Sequence, residues 1–246
     1  MVFLQNLINA LQWGSFYALI ALGYSMVYSI LMLFNFAHGD IFMVGAYIGF
    51  GVASALIALT AMGAFAMPGW LILVMTIIFS MFLTTVVGMI VERFGYRPLR
   101  EAPRASAAIT GLMIGIILET GNLALFGAQR VSFPSMMNTV TYNMGGVFVT
   151  NKKIMIVVVS LLLATALHQF IRHTRYGMAL RAMAFVYVVV PLLGVPLNTM
   201  AAMTFALGSD LAAAAGSLFG VAYPVLAPYM GILIGWKAFV AAILGG

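Results

Sequence analysis

Cysteine is absent from this 246-residue chain. Its absence removes disulfides, thiolate metal sites and a cysteine nucleophile together. Charge is scarce as well: Asp, Glu, Lys and Arg make up 7% of the residues, against about 25% in an ordinary soluble domain. Acid is scarcer still, with five Asp and Glu in all. No Ser-His-Asp order, no His-Glu-x-x-His and no G-x-x-x-x-G-K-[ST] phosphate loop occurs. No metal or cofactor site is therefore expected, and any nucleotide hydrolysis belongs to another chain. Met1–Asn9 carries neither a basic leader nor a small-residue cleavage site, so it reads as the start of a helix.

What is present is apolar: 64% of the residues are hydrophobic. A soluble core cannot hide that much, so the bilayer must be the solvent. Strands of a membrane barrel would alternate apolar and polar residues over about ten positions. These runs are apolar all round, which predicts an all-α, polytopic integral membrane bundle. With about 20 residues per span, helices are expected near 7–33, 41–61, 70–91, 107–127, 154–171 and 198–222. A shorter apolar or re-entrant stretch follows at 229–244. The whole of 1–246 reads as a single transmembrane domain.

The net charge of +6 does not point to nucleic acid, because the basic residues gather in a few loops. One loop, 92–104, holds Arg93, Arg97, Arg100 and Arg104, and another, 172–181, holds Arg172, Arg175 and Arg181. Two predicted helices separate them, so both fall on one side, and the excess of arginine makes that side cytoplasmic. The N-terminus and residues 128–153 are then external.

Between the first two apolar runs lies a polar knot, Asn35-Phe36-Ala37-His38-Gly39-Asp40. Polar groups at membrane depth must face water, protein or a solute. One reading is a wet interfacial turn, with Asn35 and Asp40 as helix caps. The other is a broken element beside a translocation pathway. In the second reading His38 and Asp40 are architectural, and a zwitterionic solute touches the backbone around Ala37 and Gly39. Two more acids, Glu119 and Asp210, fall inside predicted spans and are expected to have roles yet to be assigned. Small residues recur four apart at Gly45 and Gly49, Gly111 and Gly115, Ala212 and Gly216, and Gly231 and Gly235. Such faces predict close helix packing. Trp13, Trp70 and Trp236 read as interfacial anchors, not site residues. From Tyr176 onward a short amphipathic helix carrying Arg181 is expected, which either lies on the membrane or docks on a soluble partner.

Several of these strings resemble one family. Gly14 to Gly23, Met26-Val27-Tyr28, Asn35 to Asp40 and Gly45-Ala46-Tyr47 are similar to the opening of the branched-chain amino-acid ABC transporter permeases. Tyr176-Gly177 through Arg181-Ala182 and Ala184, continuing to Leu193-Gly194-Val195, resembles the segment by which those permeases meet their ATPase. Pro228 to Gly231 and Lys237 to Gly246 resemble the family's late block. The resemblance covers nearly the whole chain. It implies a multi-pass inner-membrane permease subunit of an importer for branched-chain amino acids or related small polar solutes. The implied partners are ABC ATPase subunits, a second permease subunit in a homo- or heterodimer, and an external substrate-binding protein. It further implies a pathway-lining role for Asn35, Phe36, Ala37, His38, Gly39 and Asp40. Within residues 172–195 it implies an ATPase contact through Gly177, Arg181, Ala182, Ala184 and Gly194.

The chain differs from the family's pattern in the uncharged run Phe185 to Pro191, in the acids at Glu119 and Asp210, and in ending at Gly246, where a further C-terminal helix is expected. An ion-coupled transporter or channel, or a non-transporting truncated variant, stays open as an alternative.

Overall fold

The structure is a computed structural model that describes residues 2–32, 34–63, 67–185 and 194–245. Helices dominate: α1 (Val2–Leu31), α2 (His38–Ala61), α3 (Gly69–Ile90), α4 (Arg104–Phe126), α5 (Asn151–His173), α6 (Arg175–Phe185), α7 (Leu197–Ala222) and α8 (Met230–Gly245). Among the described residues six helices are long and apolar enough to cross a membrane, and α8 is a shorter apolar one. The expected all-α bundle with a short C-terminal segment is what forms. Two small sheets sit at one end. Strands β2 (Thr141–Met144) and β3 (Val147–Thr150) form an antiparallel hairpin, and β1 (Val131–Ser132) pairs with β4 (Val225–Leu226).

Helix α7 is the hub, packed against α1, α2 and α3. Its sequence explains why: Ala212 to Ala215, Gly216, Ser217 and Gly220 are small, and all are buried. Small side chains let neighbouring backbones close in, which is the main source of helix affinity in lipid. A Cβ added to Gly45 would come within 2.6 Å of the Ala213 Cα, and one on Gly49 within 2.6 Å of the Ser217 Oγ. The small-residue spacing thus serves packing here, as expected. Ser217 also shares a buried 2.7 Å hydrogen bond with Ser80 of α3, satisfying two hydroxyls that lipid could not.

The two Arg-rich segments lie at the same end. The first is not a loop throughout. Helix α3 continues as a π-helical turn, Val91–Tyr96, and a 3-10 turn, Arg97–Leu99. These turns bury Glu92, which pairs with Arg97 at 3.4 Å and also with Arg100. Arg100 donates a 2.7 Å bond to Asn198 at the start of α7. Nearby, Leu180 and Met183 of α6 join Val27, Ile30, Leu31, Met200 and Ala201 in one apolar cluster. At the opposite end the hairpin meets the N-terminus: the Phe148 N–H donates to Gln5 at 2.8 Å, and Lys153 donates to Asn9 at 2.6 Å. Residues 141–153 and the N-terminus therefore share a side, in agreement with the loop charges.

Candidate functional site

The polar knot forms a break inside the bundle, but without the side-chain caps expected of it. The chain leaves α1 through Met32 in the left-handed region, at φ 52°, and turns back into the bundle. His38, Gly39 and Asp40 are not connector residues but the first turn of α2. The expected side-chain caps are absent: Ala37 holds the N-cap position, with no side-chain cap bond. The reason is that both polar residues are engaged elsewhere. Asn35 Oδ1 accepts a 3.0 Å bond from the Tyr96 hydroxyl, while the Asp40 carboxylate points sideways toward α4 and α8.

Depth follows from the neighbours of His38. Its ring fills a notch between Gly23 of α1 and Gly208 of α7. A Cβ on Gly23 would overlap Nε2, and one on Gly208 would lie 3.4 Å from Cε1. From Gly23, α1 runs on to Leu31, roughly 12 Å at 1.5 Å per residue, and α7 has already risen roughly 16 Å from Leu197. The N-terminus of α2 is therefore well inside a hydrocarbon core of about 30 Å. The first span is complete and the return is re-entrant, so the N-terminus still lies at the end opposite the Arg-rich segments. His38 is 1% exposed and edges Tyr24 at a ring distance of 4.7 Å. It packs as a wedge between α1 and α7.

Helix α8 does the same from the other side. Strand β4 is at the end opposite the Arg-rich segments, yet a few residues later Gly231 and Gly235 lie against Gly39. A Cβ on Gly39 would be 2.7 Å from the Gly231 carbonyl oxygen and 2.7 Å from the Gly235 Cα. At 16 residues, α8 is roughly 24 Å long and descends from there toward the Arg-rich end. The N-termini of α2 and α8 thus abut at depth, each with a partial positive charge, although the His38, Asp40 and Ile41 N–H groups of α2 already donate to the Asn35 and Ala37 carbonyls. Glycine on both sides allows that contact.

Beside the junction lies a cavity of about 310 Å³, at the lower edge of the roughly 300–1,000 Å³ usual for small-molecule sites. Gly39 and Asp40 of α2, Gly115 and Glu119 of α4, and Gly231 and Gly235 of α8 line it. Tyr24 forms part of the wall, and Phe36, Leu112, Met113, Ile116, Trp236 and Phe239 make the rest largely apolar. Asp40 Oδ2 sits where a Cβ on Gly115 would be, and Oδ1 is 2.7 Å from the Cβ position of Gly231. Asp40 and Glu119 thus bring two carboxyl groups to the wall of one small cavity. Both residues are 7% exposed, and Asp40 Oδ1 and Glu119 Oε1 have no hydrogen-bond partner among the described residues.

Not every residue singled out in the sequence belongs here. Phe36, Gly39 and Asp40 line the cavity, whereas Asn35, Ala37 and His38 are buried behind it. Asp210 is remote, and accepts a bond from the Thr85 hydroxyl across the α3–α7 contact. Trp236, read as an interfacial anchor, is part of the cavity wall. Its spacing from Phe239 on one face of α8, beside Gly235, was the available signal. Trp13 is no simple anchor either: it packs with Tyr17, Phe16, Phe219 and Tyr223.

On α6, Gly177 is buried against the Ile171 carbonyl, and Leu180 and Met183 face inward. Tyr176, Met178, Arg181, Ala182 and Phe185 are exposed, with Ala184 between the two faces. Gly194 takes a positive φ of 84°. Residues 186–193, most of the run that differs from the family, lie outside the described residues. Among the described residues no three His, Asp or Glu side chains are grouped to hold a metal ion.

Comparison with known proteins identifies the family. Residues 6–246 match the family model for the branched-chain amino acid transport system permease component. The high-affinity branched-chain amino acid transport system permease protein LivH of Escherichia coli (strain K12) is 38% identical over 248 residues, covering 99% of this chain and 79% of the relative. The same-named protein of Salmonella typhimurium is 37% identical over 249 residues, with the same coverage. BraD of Pseudomonas aeruginosa, another high-affinity permease protein of this kind, is 39% identical over 248 residues, covering 99% of this chain and 79% of BraD. No solved structure matches. On a match across nearly its whole length, this multi-pass inner-membrane chain belongs to the family of permease components of branched-chain amino acid transport systems.

Proposed function

We propose that the cavity at the α2–α8 junction lies on the path of a branched-chain amino acid, and that this chain moves the solute as one subunit of an ATP-driven importer. The single observation that carries the reading is the meeting of two helix N-termini at bilayer depth beside a cavity with both acidic and apolar walls. Helices broken at depth free backbone dipoles for a solute, a device useful only where the break borders a cavity or protein. Ile116, Ile232 and Trp236 are each about half exposed, so the cavity reaches the outside of the bundle between α4 and α8. A wall carrying two carboxyl groups does not suit lipid tails, so this face is the one to set against a second permease subunit.

At the Arg-rich end the exposed face of α6 is the proposed seat of an ABC ATPase. An external binding protein would deliver the solute near the β2–β3 hairpin. Transport coupled to ions is the second reading, favoured by the buried acid pair. ATP separates the two. The assembled transporter in vesicles is expected to accumulate leucine only with ATP, and Arg181→Glu is expected to lose the ATPase on co-purification while inserting normally. Uptake without an ATPase would sink the first reading, and undiminished co-purification would move the contact elsewhere.

A further inference from the structure

We infer that Asp40 and Glu119 together form a receptor for a primary ammonium group, the amino end of the transported solute; the inference rests on the transport reading above. Two carboxyl groups on the wall of one small buried cavity repel unless a proton or another positive group lies between them. Here no basic side chain supplies that positive group. Among the residues lining the cavity none is basic, and Tyr24 is the other titratable one. Among the described residues the ion pairs involve Glu92, not these acids. Asp210, the other acid inside a span, has its hydroxyl partner in Thr85. Asp40 and Glu119 differ from it in that each keeps a buried oxygen without a donor. Buried acceptors are costly to leave unsatisfied, and the residues that carry them line a cavity large enough for a small molecule. The missing element is a compact donor with positive charge.

An ammonium group fits that description. It offers three donors and no acceptor, so one group can serve both carboxyl groups and neutralise the pair. The remainder of the cavity selects the rest of the solute. Phe36, Leu112, Met113, Ile116, Trp236 and Phe239 give an aliphatic side chain an apolar wall. The abutting N-termini of α2 and α8 favour negative charge nearby, which suits the carboxylate of the same zwitterion. Placing both acids takes specific packing. Asp40 fits because positions 115 and 231 are glycine, and Glu119 is one helical turn from Gly115 on the same face of α4.

Isothermal titration of the assembled transporter, without ATP or binding protein, tests the site. The probes are isoamylamine, which has the ammonium and branched chain alone, 4-methylpentanoate, which has the carboxylate in its place, and sodium chloride. The expected result is saturable binding of isoamylamine, no binding of 4-methylpentanoate, and no competition by sodium at equal concentration. Glu119→Gln and Asp40→Asn, each near-isosteric, are expected to weaken amine binding at least about tenfold, because a buried charged hydrogen bond is lost. Sodium binding in place of the amine would make this an inorganic cation site and overturn the inference. So would absence of amine binding to the wild type, or amine binding by both variants at wild-type strength. Leucine uptake by the wild type is measured in parallel. Its absence would remove the transport reading, while the titration still judges the amine site by itself.

Discussion

Replacing Gly39 by valine abolishes leucine uptake while the protein still inserts; a loss of about tenfold or more is expected from overpacking of about 1–3 kcal/mol at the pathway. The cause is contact, not backbone conformation, since Gly39 lies in the first turn of α2. Any Cβ there meets the Gly231 carbonyl oxygen and the Gly235 Cα, each 2.7 Å away. Both obstacles are backbone, which cannot swing aside as a flexible side chain would. The two helix N-termini must part, and the cavity they border changes shape. Gly39→Ala should fall between the wild type and the valine variant. Uptake per inserted molecule in vesicles is the measurement, and wild-type uptake by Gly39→Val would refute the close junction.

Gly23→Val is expected to lower the unfolding temperature of the detergent-solubilised protein and to depress uptake. Its Cβ would occupy the place of the His38 imidazole, which has nowhere to go between α1 and α7. Removing the imidazole should relieve the clash. In a His38→Ala background the same change is expected to cost much less, with a coupling of about 0.5–3 kcal/mol between the two positions. Equal destabilisation in both backgrounds would mean that His38 is not the wedge that spaces these helices.

Much of the architecture could be read from the chain because lipid imposes simple rules. Span length, arginine placement and four-residue spacing of small residues each map onto one physical requirement, and the observed helices start and end within a few residues of those expected. The depth of the polar knot was harder. Its sequence fits a wet turn and a re-entrant turn equally. What distinguishes them is how far α1 and α7 extend past His38, which depends on packing between distant segments. Capping was misread for a related reason. Asn35 is a good cap by residue type, but Tyr96, remote in sequence, claims its side-chain oxygen.

The pairing of Asp40 with Glu119 was not legible at all. The sequence marks each as an acid in an apolar setting, but nothing local says that α2 and α4 bring them together. Glu119 and Asp210 look alike in sequence. The fold gives one a carboxyl neighbour in a cavity and the other a threonine hydroxyl. Arg97 and Arg100 likewise read as loop charges, whereas their main business is to hold the buried Glu92 at the end of α3.

The absence of cysteine permits a direct test of whether the solute passes the α2–α8 junction. Ile116→Cys places one thiol on the cavity wall, at a position 50% exposed, and Phe82→Cys places one on the outer face of α3, at a position 67% exposed. Each variant is assembled with its ATPase in vesicles and treated with a bulky thiol reagent, with the treated wild type as control. The account predicts that modifying Ile116→Cys stops ATP-driven leucine uptake, that leucine slows the modification, and that Phe82→Cys transports normally. Full uptake by completely modified Ile116→Cys would contradict it.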